Sequence, residues 1–249
     1  MLKLHLLTLN IHKGFSWGNR RFILQELREA IRTTGADIVF LQEVVGKNST
    51  QAKRHNNWPE QAQYEFLADS MWNNFAYGKN AFYPHGHHGN AILSKYPIIH
   101  SEQIDTSTNI FEQRGFLYCA VRVPGLATPL HCLCIHLGLF AVSRRKQLRM
   151  QADYIDRYVP RDEPLIMAGD SNDWRGRAVE EFAWLLGMKD AAIEVNGTMA
   201  LTFPARFPLL PLDRIYVRGL KATKCVTFHR GIWKNLSDHA ALFTESELP

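Results

Sequence analysis

No stretch of this chain approaches the ~20 consecutive apolar residues that span a bilayer. The longest runs, such as Ala36 to Leu41, are short and broken by Asp37. The opening Met1-Leu2-Lys3-Leu4-His5 lacks the layout of a secretory leader, so a cytoplasmic protein without a transmembrane segment is expected. Cysteine is scarce. Cys119, Cys132, Cys134 and Cys225 are too few to staple 249 residues, which argues against a disulfide scaffold. Cys132 and Cys134 stand two apart in an apolar run, where a strand directs both to one face, and buried thiols are expected. Low-complexity tracts and linkers are also missing. At about 150 residues per domain the length is compatible with one large domain over residues 1–249.

What is present suits a folded chain: 46% of residues are apolar and 21% charged, enough to build a core and to exclude disorder. Lysine and arginine exceed aspartate and glutamate by 5. That balance favours an anionic partner such as nucleic acid or a phospholipid surface, although many basic proteins bind neither. Nothing in the chain points to a protein partner.

Residues 2–9 read as a largely buried strand ending at Asn10, and Ile23, Leu27, Ala30 and Ile31 as an amphipathic helix closed by Gly35. Ile38 to Leu41 is a second buried strand, which delivers Glu43. The arrangement returns with Leu130 to Ile135 as a strand ending at His136. Ser143 is then expected as a helix cap, Leu148, Ala152, Ile155 and Val159 as the helix stripe, and Leu165 to Ala168 as a strand leading to Asp170. The intervals match, 33 residues from Asn10 to Glu43 and 34 from His136 to Asp170, so a strand-helix-strand pseudo-repeat is expected. In open sheets such strand ends hold ligands.

Between the units, Pro59 is expected to open a helix with Tyr64, Leu67, Ala68, Met71, Trp72 and Phe75 on one side. Strands are expected at Ala91 to Ser94 and Phe116 to Val123. After Asp170, Val179, Phe182, Ala183 and Leu186 predict another helix. Strands at Ile215 to Val217, Cys225 to Phe228 and Ala240 to Thr244 follow. The order implies an α/β fold, most simply a four-layered sandwich of two packed mixed β-sheets with helices outside.

Several polar residues sit where these apolar runs end. Glu43 closes a buried strand, where a carboxylate needs a cation: a nearby lysine, or a hard divalent ion such as Mg²⁺. Asp170 and Asn172 stand two apart beyond a strand, either bonding their own turn or holding a water and a phosphate oxygen. Asp213 can orient an imidazole through its N–H, or pair with Arg214. Asp238 and His239 precede another apolar run and could simply cap it; Asn10 and His136 could likewise be loop caps. Taken jointly, carboxylates, two histidines and two asparagines suit phosphoryl transfer.

Asn10, Leu41-Gln42-Glu43, Gly89-Asn90-Ala91-Ile92-Leu93-Ser94-Lys95, His136-Leu137, Gly169-Asp170-Ser171-Asn172, Leu212-Asp213-Arg214-Ile215 and Ser237-Asp238-His239, in this order over nearly the whole chain, resemble the endonuclease/exonuclease/phosphatase superfamily. The resemblance implies Mg²⁺-dependent hydrolysis of phosphate esters, with Mn²⁺ as the alternative ion. By position, Glu43 would bind the metal, with Asn10 and Asp238 close to it or to its waters. Asp170 would orient or deprotonate the attacking water, and Asn172 would hold a phosphate oxygen. His239, steered by Asp213, and His136 would stabilise charge on the phosphoryl group or assist the leaving oxygen. Asn90 and Arg114 are the candidate substrate contacts.

Apurinic endonucleases carry an Asp two positions after the first Asn and a Tyr at the position of His136. This chain has His12 and His136 there, and resembles the deoxyribonuclease, neutral sphingomyelinase and inositol-phosphatase branches more. The expected activity is a phosphodiester hydrolase acting on nucleic acid or a phospholipid-like diester. The alternatives are a phosphomonoesterase of a soluble phosphorylated metabolite, and a non-catalytic nucleic-acid or partner-binding module. His85, His87 and His88 read as a histidine loop, either solvated or a second metal or substrate contact. Arg144, Arg145, Lys146 and Arg149 read as a phosphate-attracting or merely solvated helix face. Trp174, Phe203 and Phe207 would stack a base, enter a lipid interface or anchor their loops.

Overall fold

The protein's structure, a computed structural model, describes residues 2–109 and 111–248. The chain runs through β1 (Leu2–Asn10), α1 (Leu24–Thr33), β2 (Ile38–Asn48), α2 (Ser49–Arg54), α3 (Gln63–Ala68), β3 (Asn74–Tyr83) and β4 (Gly86–Ser94). It continues with β5 (Ile98–Asp105), β6 (Gly115–Val121), β7 (Leu130–His136), α4 (Ala141–Tyr158), β8 (Leu165–Asp170) and α5 (Arg177–Leu185). β9 (Lys189–Asp190), α6 (Ala191–Asn196), β10 (Asp213–Arg218), β11 (Lys221–Phe228) and β12 (Ala241–Leu248) complete it. The strands form two six-stranded mixed sheets, ordered β11-β12-β1-β2-β4-β3 and β5-β6-β7-β8-β10-β9.

Four layers follow from how the apolar residues alternate. Leu4, Leu6, Phe40 and Ile92 of the first sheet meet Leu117, Cys132, Cys134, Ile166 and Ile215 of the second. On the far face of the first sheet, Leu7, Leu9, Val39 and Leu41 pack under Leu24, Leu27 and Ile31 of α1. On the far face of the second, Leu133, Ile135 and Met167 pack under Leu148 and Ile155 of α4 and Val179 and Phe182 of α5. Burial on both faces explains why these strands read as near-continuous apolar runs. All four cysteines are buried free thiols.

The pseudo-repeat is real in space. β1 and β2 are parallel with Asn10 opposite Gln42, and β7 and β8 are parallel with His136 opposite Asp170. Both units therefore end their strands at the same edge of the sandwich. Asp213 joins them because β10 starts opposite Asp170, and residues 229–240 lead into β12, which starts at the same edge.

Some local expectations were overridden. The helix expected from Pro59 through Phe75 stops at Ala68, since Asp69 takes a positive φ of 45°. The buried Trp72 then donates its indole N–H to the Ala36 carbonyl (3.0 Å), and Phe75 lies in β3 opposite Leu93. β3 and β5 are exposed edge strands with little alternation, so no period-2 signal marked them. Ser143 does not cap α4: the helix starts at Ala141, and the buried Ser143 hydroxyl receives that of Thr108 (2.9 Å). His87 and His88 are consecutive in β4 rather than in a loop, so they point to opposite faces.

Candidate active site

Every carboxylate at the site edge has a specific reason to be there. β2 bulges between Leu41 and Val44, and Glu43 sits in that bulge with a φ of 56°. A bulge re-aims a side chain, and a non-glycine residue in the left-handed region is uncommon and costs of order 1 kcal/mol. His12 (46°), Lys13 (58°) and Asn172 (49°) share that conformation. Thus four of the six positive-φ non-glycine residues among those described belong to one site, a concentration typical of functional positions.

Asn10 bridges the two sheets. Its amide nitrogen donates to Asp170 Oδ2 (3.2 Å) and Glu43 Oε1 (3.5 Å), across 160 and 33 residues of sequence. Asp170 also accepts the Asn172 backbone N–H at Oδ1 (3.0 Å), while His136 Nε2 and His239 Nε2 stand 3.5 and 3.8 Å from Oδ2. His239 Nδ1 is held by Asp213 Oδ2 at 2.9 Å. Asp238 takes His12 Nδ1 at 3.2 Å, and the Ser237 hydroxyl donates to the Asn10 carbonyl (2.7 Å), tying that segment to the end of β1. Beneath this pit, Gln42 donates to Thr8 and Cys134, and Asn90 donates to the Gly115 and Cys134 carbonyls, forming a polar seam between the sheets.

The electrostatics divide the roles. Burial pushes the Asp170 carboxyl up to about 7 despite the pull of His239. Burial alone would depress His239, but the Asp213 and Asp170 carboxylates raise it to about 10 and keep it an imidazolium. Burial, with Arg114 adding to it, pushes His136 well below its ordinary value, so that imidazole is neutral. Burial also takes His88 down to about 4. Burial would raise Glu43, but the Lys13 ammonium, 2.7 Å away, holds it well below the usual carboxylate range. The His12 hydrogen bond overcomes burial and lowers Asp238.

The residues fit a hard divalent cation. Glu43 and Asp238 are held ionised, Asn10 adds an amide, and the buried His12 Nε2, on the ring that meets Asp238, has no hydrogen-bond partner among the described residues. Lys13 already sits on Glu43 as a cation would. Asp170, Asp213 and His239 also offer ligand atoms within 4.8 Å of one another. There, however, one imidazole nitrogen is committed to Asp213 and the ring is charged, which suits a charge relay better than a metal cage.

The structure thus brings together Asn10, Glu43, His136, Asp170, Asn172, Asp213, Asp238 and His239. Asn90 is fully buried in the seam below them. Arg114 donates to Leu137, Gln113 and Glu112 and, with His88, lines an adjoining cavity of about 680 Å³. Arg214 pairs with Asp190 rather than Asp213. The buried Arg144 holds the Gly138 and Leu139 carbonyls, whereas Arg145, Lys146 and Arg149 face solvent. His87 bonds the Tyr77 hydroxyl (3.0 Å). Phe203 lies against the His239 ring, and Trp174 and Phe207 are exposed. Of the three histidines offered as solvated or as a second contact, His88 is the one beside the site, whereas Lys13 is a site residue that sequence reasoning did not name. Lys13 carried one usable signal, a cation three residues beyond a polar strand end.

Comparisons with known proteins bear on the family and the fold. The sequence model of the Endonuclease/Exonuclease/phosphatase family matches residues 7–239. The chain is 49% identical over 243 residues to the Escherichia coli (strain K12) protein named Uncharacterized protein YbhP, covering 98% of this chain and 96% of that one. Among solved structures, an endonuclease/exonuclease/phosphatase from Beutenbergia cavernae superposes with a TM-score of 0.79 at 18% identity, over 99% of this chain and 72% of that one. TDP2 of D. rerio, complexed with single strand DNA product, superposes with a TM-score of 0.72 at 18% identity, over 98% and 99%. At such identities the likeness is one of fold.

Proposed function

The chain belongs to the endonuclease/exonuclease/phosphatase family, whose members are generally metal-dependent phosphoesterases, and from that premise we propose that it hydrolyses a phosphodiester of nucleic acid or phospholipid type. The observation that carries the reading is Asp170: a buried carboxylate near neutrality, ringed by Asn10, Asn172, His136 and His239 from both sheets. A base poised near pH 7 suits proton abstraction from water.

In this reading Asp170 receives a proton as the water oxygen forms its bond to phosphorus, and the bond from phosphorus to the leaving oxygen breaks. The products are a phosphomonoester and an alcohol. The His239 imidazolium, fixed by Asp213, meets the negative charge on the phosphoryl oxygens or protonates the leaving oxygen. The neutral His136 and the Asn172 amide, one of whose hydrogens is taken by the Leu137 carbonyl, donate to the same group. Preorganised donors of this kind contribute about 3–4 kcal/mol each when water is excluded. Glu43, Asn10 and Asp238 would hold Mg²⁺ or Mn²⁺, which when bound supplies Lewis-acid polarisation of a phosphoryl oxygen. D. rerio TDP2, solved with a single strand DNA product, supports a diester on this scaffold.

Hydrolysis of bis(p-nitrophenyl) phosphate and of the monoester, with Mg²⁺ and with chelator, tests the proposal. The diester is expected to be cleaved only with metal, and Asp170→Asn to lose roughly 10²–10⁴-fold in kcat. Equal rates with and without metal, or an undiminished variant, reject it. Preference for the monoester moves the reading to a phosphomonoesterase.

A further inference from the structure

The segments attached to the site residues are 11–23, 106–114, 137–146, 171–176, 197–212 and 229–239. Strand register places the strand ends that these segments leave or enter at the site edge of the sandwich. They contain eleven of the nineteen large apolar side chains exposed among the described residues, although they make up about a quarter of the sequence. Phe111 is 93% exposed, Phe207 71% and Phe140 67%. Phe82, from the β3–β4 hairpin beside them, lines the same cavity as Phe111, Leu139 and Phe140, and that cavity includes His88 next to the site. On the other flank, Trp17 lies in a groove of about 890 Å³ with Ile232, and the Arg20 and Arg206 guanidinium groups sit over its ring at 5.8 and 5.4 Å. Exposed apolar tips therefore stand on two flanks of the site edge rather than in one patch.

Charge follows the same distribution. The six segments hold eleven lysines and arginines against three acids, a net charge of +8 with histidine neutral, while the whole chain is +5. The remainder of the molecule is net negative. Arg145, Lys146 and Arg149 continue the cationic side along the exposed face of α4, whose first turn carries the exposed Val142.

We propose that this edge is a docking surface for an anionic phospholipid bilayer, with the loop tips inserted at the headgroup boundary and the basic side chains on the lipid phosphates. Three features select this occupant. The exposed residues include Leu139, Val142, Leu201, Leu209 and Ile232, aliphatic side chains that have no face for a nucleobase to stack on but partition into hydrocarbon. Trp17 and Trp174, each with an arginine over the ring, suit the interfacial layer, where indole and guanidinium are both at home. Finally, a bilayer laid across both flanks presents phosphodiesters to the pit between them. The inference deepens the hydrolase reading and rests on it for what happens to a headgroup once seated.

The test is co-sedimentation of the full chain, in chelator, with vesicles of phosphatidylcholine alone and of phosphatidylcholine mixed with phosphatidylglycerol. A triple variant, Phe111→Ser with Leu139→Ser and Phe140→Ser, and a charge variant, Arg145→Glu with Lys146→Glu and Arg149→Glu, are compared with wild type. Wild type is expected to partition onto the anionic vesicles, with each variant at least roughly ten-fold weaker. Bis(p-nitrophenyl) phosphate turnover by the triple variant is expected to be unchanged, which shows that fold and pit are intact. No binding by wild type, or variants that bind like wild type, overturns the proposal. So does binding of a single-stranded oligonucleotide with no vesicle binding, or self-association that the triple variant abolishes while vesicles stay unbound. Vesicle binding that behaves as expected, in a protein that cleaves no diester, leaves the docking surface standing and removes the hydrolase reading.

Discussion

The Asp170 carboxylate accepts a backbone N–H and an amide N–H and faces two imidazoles, yet burial still leaves it at about 7. In the unfolded chain its ordinary value is about 3.9, so between these limits the native state binds more protons than the unfolded one and stability falls as pH rises. His239, raised to about 10 from 6.5, acts with the same sign over the higher window: its contribution is complete below about 6.5 and is lost as pH climbs to 10. In metal-free buffer, Asp170→Asn is therefore expected to be more stable than wild type at pH 8, on the order of 2 kcal/mol, with the gain shrinking toward pH 4. Denaturant midpoints across that range check it. A variant less stable than wild type at pH 8 contradicts the buried-charge account. At this scale the sequence named residues that the structure brings together, but not their protonation state. The sequence leaves a neighbouring lysine as one partner for Glu43, and the structure shows it to be Lys13.

Among the elements, the two parallel units carry most of the site. Their strand ends were legible because an apolar run that stops at Asn10, His136 or Asp170 stops on a polar residue whatever the rest of the fold does. Gly169 shows how tightly β8 is seated: its φ is +148°, and a Cβ there would run into the Ile135 carbonyl of the neighbouring β7. Gly169→Ala is expected to cost about 3 kcal/mol and to weaken activity, because either β8 or β7 must shift beside Asp170 and His136. A thermal midpoint within about 1 °C of wild type would show that the strands tolerate the methyl group. The elements that escaped sequence reasoning are of another kind. β3 and β5 lie at sheet edges and keep much of their surface in water, so no alternation marks them. The helix through Phe75 failed because pairing of Phe75 with Leu93 outweighed a plausible helical period.

Across the whole molecule, β1, β2 and the segment leading into β12, drawn from opposite ends of the chain, must come together in the first sheet before Glu43, Asn10 and Asp238 meet, so a divalent ion held there binds the folded chain and stabilises it. At about 100-fold excess over Kd the gain is about 2.7 kcal/mol, which for a chain of this size raises Tm by roughly 5–10 °C. Mg²⁺ or Mn²⁺ is expected to produce such a rise in a thermal melt and chelator to reverse it. Glu43→Gln is expected to show little or none. An equal rise in that variant would move the ion elsewhere, and the Asp170, Asp213 and His239 cluster would be the next candidate.

The sequence alone determined the α/β class, the spacing of the paired units and the identities of the polar residues at their ends, because apolar period and strand termination are set by neighbours a few positions away. Only the tertiary structure decided that Asn10 reaches Asp170 across 160 residues, that His88 rather than His87 faces the site, and that Lys13 sits on Glu43. It also decided that Asp170, His136 and His239 carry different charges, since burial and the nearness of other charges arise only when distant strands are packed together.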